Sequence, residues 1–371
     1  MERLYDKLKA YSESDFYAFH MPGHKRNKTL LGIELPYDLD ITEIDGFDDL
    51  HHADGILKEE QERAARVFGA EESHFLVNGS TAGILSAVMG CTHRGDKILV
   101  ARHCHKSIYH AIYMNGLVPR YVYPEFDISM HMNGEISKED VAKALAAEPD
   151  IKAVVIVSPN YDGVVSDVKG IAEVAHSYRI PLIVDEAHGP HFGFHPAFPG
   201  RANDLGADVV INSLHKTLPS LTQTAILHIN GKLANRRRIK KYLDMLQSSS
   251  PSYIFMASLD ACVDFLDGKC EEAFELYVER LQKFREELKP LQHLQILRTE
   301  HYDISKVVIS TANANITSPE LADRLRKEYH LEMEMTGGTY VLAMTTVADT
   351  QEGLNRLKAA LLEIDDQLEA K

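Results

Sequence analysis

The strongest constraint on the fold is a regular alternation of short apolar runs with segments of helical periodicity between about residues 56 and 230. Apolar runs of this length favour strands buried on both faces, and helices between them favour crossovers that make the strands parallel. The pattern therefore predicts an α/β fold with a mostly parallel sheet, which binds ligands at the carboxyl ends of its strands. The predicted strands are Lys97–Ala101, Ala153–Val157, Leu182–Val184, Val209–Ile211 and Ala225–Ile229, and a helix over Gly170–Tyr178 is among the intervening segments.

The flanking segments differ in character from this central region. Residues 1–55 are rich in Gly, Pro, His and Asp and predict an N-terminal arm with short helical pieces. Residues 56–255 form the predicted large domain, and Pro251 interrupts a largely helical stretch near its end. Residues 256–371 predict a helical connection and a small C-terminal α+β domain. Its predicted elements are strands at Gln295–Leu297 and Thr339–Met344 and helices at Pro319–Tyr329 and Gln351–Gln367.

One aspartate and one lysine each stand just after a predicted strand. Asp185 follows an apolar strand, and Lys216 comes thirty-one residues later in the run Ser213–Thr217. This combination suits pyridoxal phosphate, because a lysine amine forms a Schiff base with the cofactor's aldehyde and a buried carboxylate pairs with its protonated pyridine nitrogen. A single lysine after a strand is ordinarily a surface residue, so the interpretation depends on the neighbouring phosphate-binding pattern.

That pattern is a Gly/Ser/Thr turn between a strand and a helix. The run Phe75–Gly83 passes from an apolar strand through Gly79, Ser80 and Thr81 into a helical segment. Such a turn offers backbone N–H groups, hydroxyls and a helix N-terminus to a dianionic phosphate. Capping of the helix by Ser or Thr explains the same residues equally well.

Histidines supply further candidates. His105 follows the strand Lys97–Ala101 and is placed to stack on the cofactor ring, although a capping or core histidine is the ordinary alternative. His188 is expected near the cofactor's phenolic oxygen or the substrate. The pair His51 and His52, and the pair His188 and His191, lack a third ligand at helical spacing, so no metal site is predicted.

Together these motifs, in this order, resemble the Orn/Lys/Arg decarboxylase family of fold-type-I pyridoxal-phosphate enzymes. The resemblance is dense over residues 1 to about 260, and five ordered motifs are far more specific than any one of them. The motifs are His20–Lys25, Asn78–Thr81, His105–Ser107, Val184–Gly189 and Ser213–Lys216, extended by Gln223–Ala225 and Ser249–Tyr253.

The resemblance implies a fold-type-I transferase-like fold and assigns roles to residues. Lys216 would be the Schiff-base lysine, Asp185 the partner of the pyridine nitrogen, His105 the stacked ring and His188 a catalytic neighbour. The other residues implied in binding pyridoxal 5'-phosphate are Gly79, Ser80, Thr81, Ala187, Ser213, His215 and, from the neighbouring subunit of a homodimer, Ser250.

The implied reaction is decarboxylation of arginine, lysine or ornithine to the amine and carbon dioxide. Lys216, His215 and His188 all remain open as the proton donor to the α-carbon. Because one cofactor serves many reactions, an aminotransferase or carbon–carbon lyase on the same fold is the alternative, as is a non-catalytic homologue that binds the cofactor.

The chain also departs from the family pattern. It resembles a short form that lacks the family's further C-terminal domain, and Met335–Thr339 lacks the acidic residue expected nearby. Two segments keep two interpretations each. Ser158–Gly163 is either a turn over the cofactor face or a simple Pro/Asn/Gly turn. Glu332 and Glu334 either meet a basic group or, as the alternation favours, belong to a half-exposed strand.

Composition limits the partners. The formal net charge of -15 argues against nucleic acid and anionic membranes as partners. The small-molecule amino acid expected as partner is what the family resemblance implies. Four cysteines show neither CxxC pairing nor metal spacing, which favours a reducing compartment. No apolar stretch approaches eighteen residues and the first residues are charged, so we expect a cytoplasmic protein.

Overall fold

A computed structural model describes residues 2–128 and 131–371. Its thirteen strands form three sheets. They are β1 Glu72–Leu76, β2 Lys97–Ala101, β3 Val118–Val122, β4 Phe126–Asp127, β5 Met132–Asn133, β6 Ile151–Val157, β7 Leu182–Asp185, β8 Val209–Asn212, β9 Ala225–Ile229, β10 Gln295–Leu297, β11 Lys306–Ser310, β12 Met335–Thr336 and β13 Tyr340–Met344.

Twelve α-helices surround the sheets in the described residues, with a short 3-10 turn at Leu50–His52. They are α1 Leu4–Ser12, α2 Ile56–Val67, α3 Gly79–Cys91, α4 Lys106–Asn115, α5 Lys138–Ala147, α6 Val168–Ser177, α7 Leu214–Thr217, α8 Arg236–Leu246, α9 Tyr253–Leu266, α10 Glu271–Glu287, α11 Ser318–Tyr329 and α12 Gln351–Asp365. In the part of the chain that the structure describes, no helix is both long and apolar enough to cross a membrane.

The main sheet has seven strands in the order β1-β9-β8-β7-β6-β2-β3. The neighbours from β8 through to β3 run parallel, and only β9 runs opposite to both β1 and β8. The predicted mostly parallel α/β sheet is therefore confirmed, and all five predicted strands are present. In consequence the ends of β7 and β8 lie side by side at one edge.

Helices cover both faces of this sheet, which explains why its strands are apolar without alternation. Side chains from α3, α4 and α8 pack on one face, and those from α5 and α6 pack on the other. Helix α6 begins at Val168 rather than at the predicted Gly170, because the Asp167 side chain accepts a hydrogen bond from the Gly170 N–H and caps the first turn.

The C-terminal part forms a second sheet in the order β10-β11-β13-β12, all antiparallel. Helices α11 and α12 pack with it, as predicted for a small α+β unit. Helix α11 starts with a capping box in which Thr317 and Glu320 satisfy each other's backbone N–H groups. Strand β11 was not predicted, and its first residue, Lys306, is fully buried.

Gly90 tests the packing of α3 against α8. A Cβ atom at this position would lie 2.8 Å from the Ile239 Cα atom, so Gly90→Ala forces the helices apart. We expect a loss of about 1–3 kcal/mol in the free energy of unfolding, measured with urea. Gly353→Ala in α12 is the matched control, because its Cβ would meet only the Thr350 Oγ1 atom at 3.7 Å. That change should be neutral or stabilising, and equal effects would refute the packing argument.

Candidate active site

Lys216 and Asp185 converge at the carboxyl ends of two neighbouring parallel strands. Asp185 is the last residue of β7 and pairs in register with Ile211 of β8, after which the short helix α7 carries Lys216. The Asp185 carboxylate is buried, and its Oδ1 atom accepts a hydrogen bond of 3.1 Å from the Ala187 N–H. The Lys216 Nζ atom lies 3.0 Å from the His188 Nε2 atom.

For both Asp185 and Lys216, burial and the charge of the other group shift the pKa in opposite directions. Burial raises the pKa of Asp185, and the nearby charge of Lys216 opposes that rise. Burial lowers the pKa of Lys216, and the charges of Asp185 and Glu334 oppose that fall. Burial also lowers the pKa of His188 well below its ordinary value, with Lys306 and Lys216 adding to the effect, so this ring is neutral.

Glu186 explains how the turn after β7 keeps its shape. Its buried carboxylate turns away from the site and accepts hydrogen bonds from Asn212 Nδ2 at 3.0 Å and Ala202 N at 2.8 Å. Burial raises the pKa of Glu186 to about 8. Asp185, not Glu186, is therefore the carboxylate of this turn whose charge acts on Lys216.

The start of α3 supplies anion-binding groups. Gly79 adopts a φ of 74°, and the preceding Asn78 side chain does not cap the helix. The first N–H groups, together with the Ser80 and Thr81 hydroxyls, are therefore placed to meet an anion. In the described part of the chain, the fully buried Ser213 Oγ atom has no hydrogen-bond partner. The ends of β1 and β8 lie at the same edge of the sheet, so an orphaned hydroxyl and a positive helix end at that edge fit a phosphate group.

Two histidines border this region. His105 caps α4, since its Nδ1 atom accepts the Ser107 N–H, and its electrostatic neighbours include Asp185 and Lys216. The capping interpretation is thus confirmed without removing the ring from the site. His215 Nδ1 is 2.8 Å from the Thr224 carbonyl oxygen, which fixes a donor at Nδ1 and leaves Nε2 free of that bond. Burial lowers the pKa of both histidines.

The turn Ser158–Gly163 and the small domain close the site from the other side. The Tyr161 ring lies 4.6 Å from the His188 ring, centroid to centroid, and the Tyr161 hydroxyl donates to the Glu334 carboxylate. In return the Tyr340 hydroxyl donates to Asp162 at 2.5 Å. The turn is therefore more than a simple connection, because two hydrogen bonds tie it to the small domain.

Both interpretations of Glu334 have support. Glu332 and Glu334 are exposed and alternate with the half-buried Met333, and the Glu334 N–H donates to the Leu342 carbonyl oxygen of β13 at 2.9 Å. The charge of Glu334 also acts on Lys216 and Lys306. It supplies an acidic group immediately before Met335–Thr339. The alternation of Glu332 and Glu334 gave no hint of this, since the contact joins residues 161 and 334 across domains.

Other predicted residues lie as follows. Ser250 is exposed, and its segment lies near the start of α3 of the same chain, where the Ser248 N–H donates to Asn78 Oδ1 at 3.2 Å. His51 contacts the Ser248 carbonyl oxygen and Asp244. No group of three His, Cys, Asp or Glu side chains suited to a metal occurs among residues 2–128 and 131–371.

Known proteins are similar to this chain in sequence and in fold. The profile of the Orn/Lys/Arg decarboxylase major domain matches residues 3–317. Arginine decarboxylase of Bacillus subtilis is 34% identical over 380 residues, which cover 98% of this chain and 77% of that protein.

Solved structures extend the comparison. The constitutive lysine decarboxylase of Escherichia coli superimposes with a TM-score of 0.84 at 23% identity, covering 98% of this chain and 60% of that one. A structure of SPT with PLP covers 84% of this chain and 76% of that one, with a TM-score of 0.65 and 16% identity. These likenesses confirm the fold-type-I architecture. The profile match and the identity to arginine decarboxylase show that the chain belongs to the Orn/Lys/Arg decarboxylase family of pyridoxal-phosphate-dependent enzymes.

Proposed function

We propose that this protein binds pyridoxal 5'-phosphate and decarboxylates a basic amino acid, with arginine as the first substrate to test. The observation that carries the proposal is the convergence of Lys216, Asp185 and Glu334, two of them from adjacent strand ends and one from the small domain. An amine, a buried acid and a second acid facing them match a cofactor site joined to a pocket for a cationic side chain.

The residues present fit the cofactor. Lys216 would hold its aldehyde, Asp185 its ring nitrogen, and His105 its ring face. Its phosphate would meet Ser213, His215 and the start of α3, where Gly79, Ser80 and Thr81 stand, with Ala187 beside Asp185. When bound, the cofactor supplies an electron sink that stabilises the carbanion left by carbon dioxide.

Side chains of the protein would transfer the protons. Lys216 Nζ and His188 Nε2 are within hydrogen-bond distance, so a proton can pass between them without a water molecule. His188 is buried and its pKa is lowered well below the ordinary value, so its ring stays neutral and serves as a hydrogen-bond partner of the Lys216 amine. Lys216 is therefore the favoured donor to the α-carbon. His215 is not favoured as the donor, because its Nδ1 atom is engaged with the Thr224 carbonyl oxygen.

Glu334 is the group that favours a basic substrate. Its carboxylate, oriented by the Tyr161 hydroxyl, would attract the guanidinium or ammonium end of the substrate side chain. The 34% identity to an arginine decarboxylase supports arginine over lysine or ornithine. An aminotransferase on this fold would instead release a keto acid, and product analysis separates the two.

We infer a homodimer as the active form, as is usual for this fold. Exposed aromatic and aliphatic side chains of the N-terminal arm, among them Phe16, Phe19 and Leu30, would be covered in such an assembly. The exposed Ser250 hydroxyl would complete the phosphate site of the neighbouring subunit.

Lys216 tests the cofactor assignment. The purified protein with added pyridoxal phosphate should show the yellow absorbance of a lysine-bound cofactor, and Lys216→Ala should lose it because the amine is gone. Circular dichroism should show the same fold in both. A parent protein that stays colourless with added cofactor would refute the assignment.

Asp185 tests the electron sink. Asp185→Asn keeps the shape of the side chain but removes the charge that would hold the ring nitrogen protonated. We expect the cofactor to remain bound and kcat to fall by roughly three orders of magnitude, which is about 4 kcal/mol of transition-state stabilisation. A loss of tenfold or less would show that another group holds that nitrogen.

Glu334 tests the substrate class. Carbon dioxide release from arginine, lysine and ornithine should exceed that from neutral amino acids, and Glu334→Gln should raise KM for the best substrate by about tenfold, roughly 1.4 kcal/mol. Glu332→Gln is the matched control, because that side chain is exposed like Glu334 and two residues away but has no hydrogen bond or ion pair within the described part of the chain. Release of a keto acid, or equal effects of the two variants, would contradict the proposal.

A further inference from the structure

His191 comes three residues after His188 and is not among the groups that would hold the cofactor or the substrate. Its ring is buried and lies edge-on to the Phe192 and Phe198 rings, with centroids 4.9 and 4.8 Å away. In the part of the chain that the structure describes, it belongs to no group of side chains suited to a metal. The ring is therefore held in a buried environment in which both of its nitrogens need hydrogen-bond partners.

Both nitrogens have such a partner, and the two partners belong to different parts of the fold. His191 Nδ1 is 3.0 Å from the Oγ1 atom of Thr217, which ends α7 and follows Lys216. His191 Nε2 is 3.1 Å from the Oδ1 atom of Asp303, in the segment that leads into β11 of the small domain. All three contacting side chains are buried. A continuous chain of hydrogen bonds therefore joins the small domain to the residue beside the candidate cofactor lysine.

Asp303 is the fixed end of this chain. Its N–H donates to the Gly163 carbonyl oxygen at 2.8 Å, and its Oδ2 atom accepts the Ser305 hydroxyl at 2.7 Å. Burial raises the pKa of Asp303, but the contact with His191 and other neighbouring groups lower it below the ordinary value overall. The ionised carboxylate can only accept, so His191 Nε2 donates to it. Nδ1 then accepts the Thr217 hydroxyl in the neutral ring and donates to it in the protonated ring, so the contact persists in both states.

The Thr217 hydroxyl contacts His191 instead of its common local partner. A threonine in a helix can donate back to the carbonyl oxygen four residues earlier, which here is that of Ser213. That carbonyl oxygen instead accepts the Lys216 N–H at 3.2 Å. Helix α7 has only four residues, so its own backbone hydrogen bonds do little to fix the orientation of Lys216. A side-chain anchor one residue away adds that constraint.

We propose that His191 is a positioning residue for Lys216. Through Thr217 it holds α7 in the orientation that places the lysine amine 3.0 Å from His188 Nε2. Through Asp303 it ties that orientation to the small domain. The inference rests on the proposed function, in which this amine bonds to the aldehyde carbon of the cofactor and water leaves. A preplaced amine reacts faster, because the reacting atoms meet in a productive geometry more often.

The test measures how fast the cofactor attaches to the purified full chain after the cofactor has been removed. Growth of the yellow absorbance at saturating pyridoxal phosphate gives a first-order rate, which weaker binding alone does not change. Thr217→Val removes the hydroxyl with little change in shape, and we expect it to slow attachment by about tenfold. Thr217→Ser keeps the hydroxyl and should restore the rate to within about threefold of the parent.

Thr92→Val is the matched control for the loss of a buried hydroxyl. Thr92 is fully buried, and its hydroxyl donates to the Val88 carbonyl oxygen at 2.6 Å. It follows α3 at the end opposite Gly79, far from the site. This variant should unfold at a lower urea concentration, while its attachment rate stays within about twofold of the parent.

His191→Leu shows whether Thr217 acts through the histidine. This variant should also slow attachment, and adding Thr217→Val to it should slow attachment no further, because both changes break one contact. His191→Met replaces His191→Leu if the leucine variant does not unfold cooperatively. A parent-like rate in folded Thr217→Val, an equal loss in Thr92→Val, or additive losses in the double variant would overturn the role of His191. Failure of the proposed function is separate, since the parent protein itself would then stay colourless with added pyridoxal phosphate.

Discussion

The electrostatic attraction between Lys216 and Asp185 is the interaction on which the site depends. Both groups are withdrawn from water, so each would be driven toward its neutral form without the other. The sheet makes the pairing possible, because β7 and β8 run parallel and deliver their last residues to one edge. The helix start at Gly79 and the orphaned Ser213 hydroxyl then add anion-binding groups at the same edge of the sheet.

Much of this could be predicted from the sequence. Apolar runs bounded by turn residues identified the central strands, because burial on both faces removes the alternation of a half-exposed strand. Lys216, Asp185 and the Gly79 turn were predicted because each follows directly from a strand, so a local pattern locates it. The start of α6 was missed by two residues because the cap is a side-chain contact from Asp167.

The contribution of the small domain could not be predicted in the same way. Glu334, Asp303 and Lys306 reach the site only through contacts with residues more than a hundred positions away, such as Tyr161 and His191. A single chain without aligned relatives carries no signal for such pairs. The local sequence signal in this region is the apolar run Lys306–Ser310, which begins with a charged residue. The structure places this run in β11 and buries the Lys306 side chain.

The exchanged hydrogen bonds between the turn and the small domain have a consequence for how the protein responds to alkali. Tyr161 donates to Glu334 and Tyr340 to Asp162, so each side contributes one phenol and one acid. Burial, with the adjoining carboxylates, raises the pKa of both phenols above the ordinary value for tyrosine. Both donors therefore keep their protons over the range in which burial places the titration of the lysines. The two hydrogen bonds between the turn and the small domain therefore persist while the buried lysines gain or lose protons. The shape of the pocket is thus independent of its ionisation state.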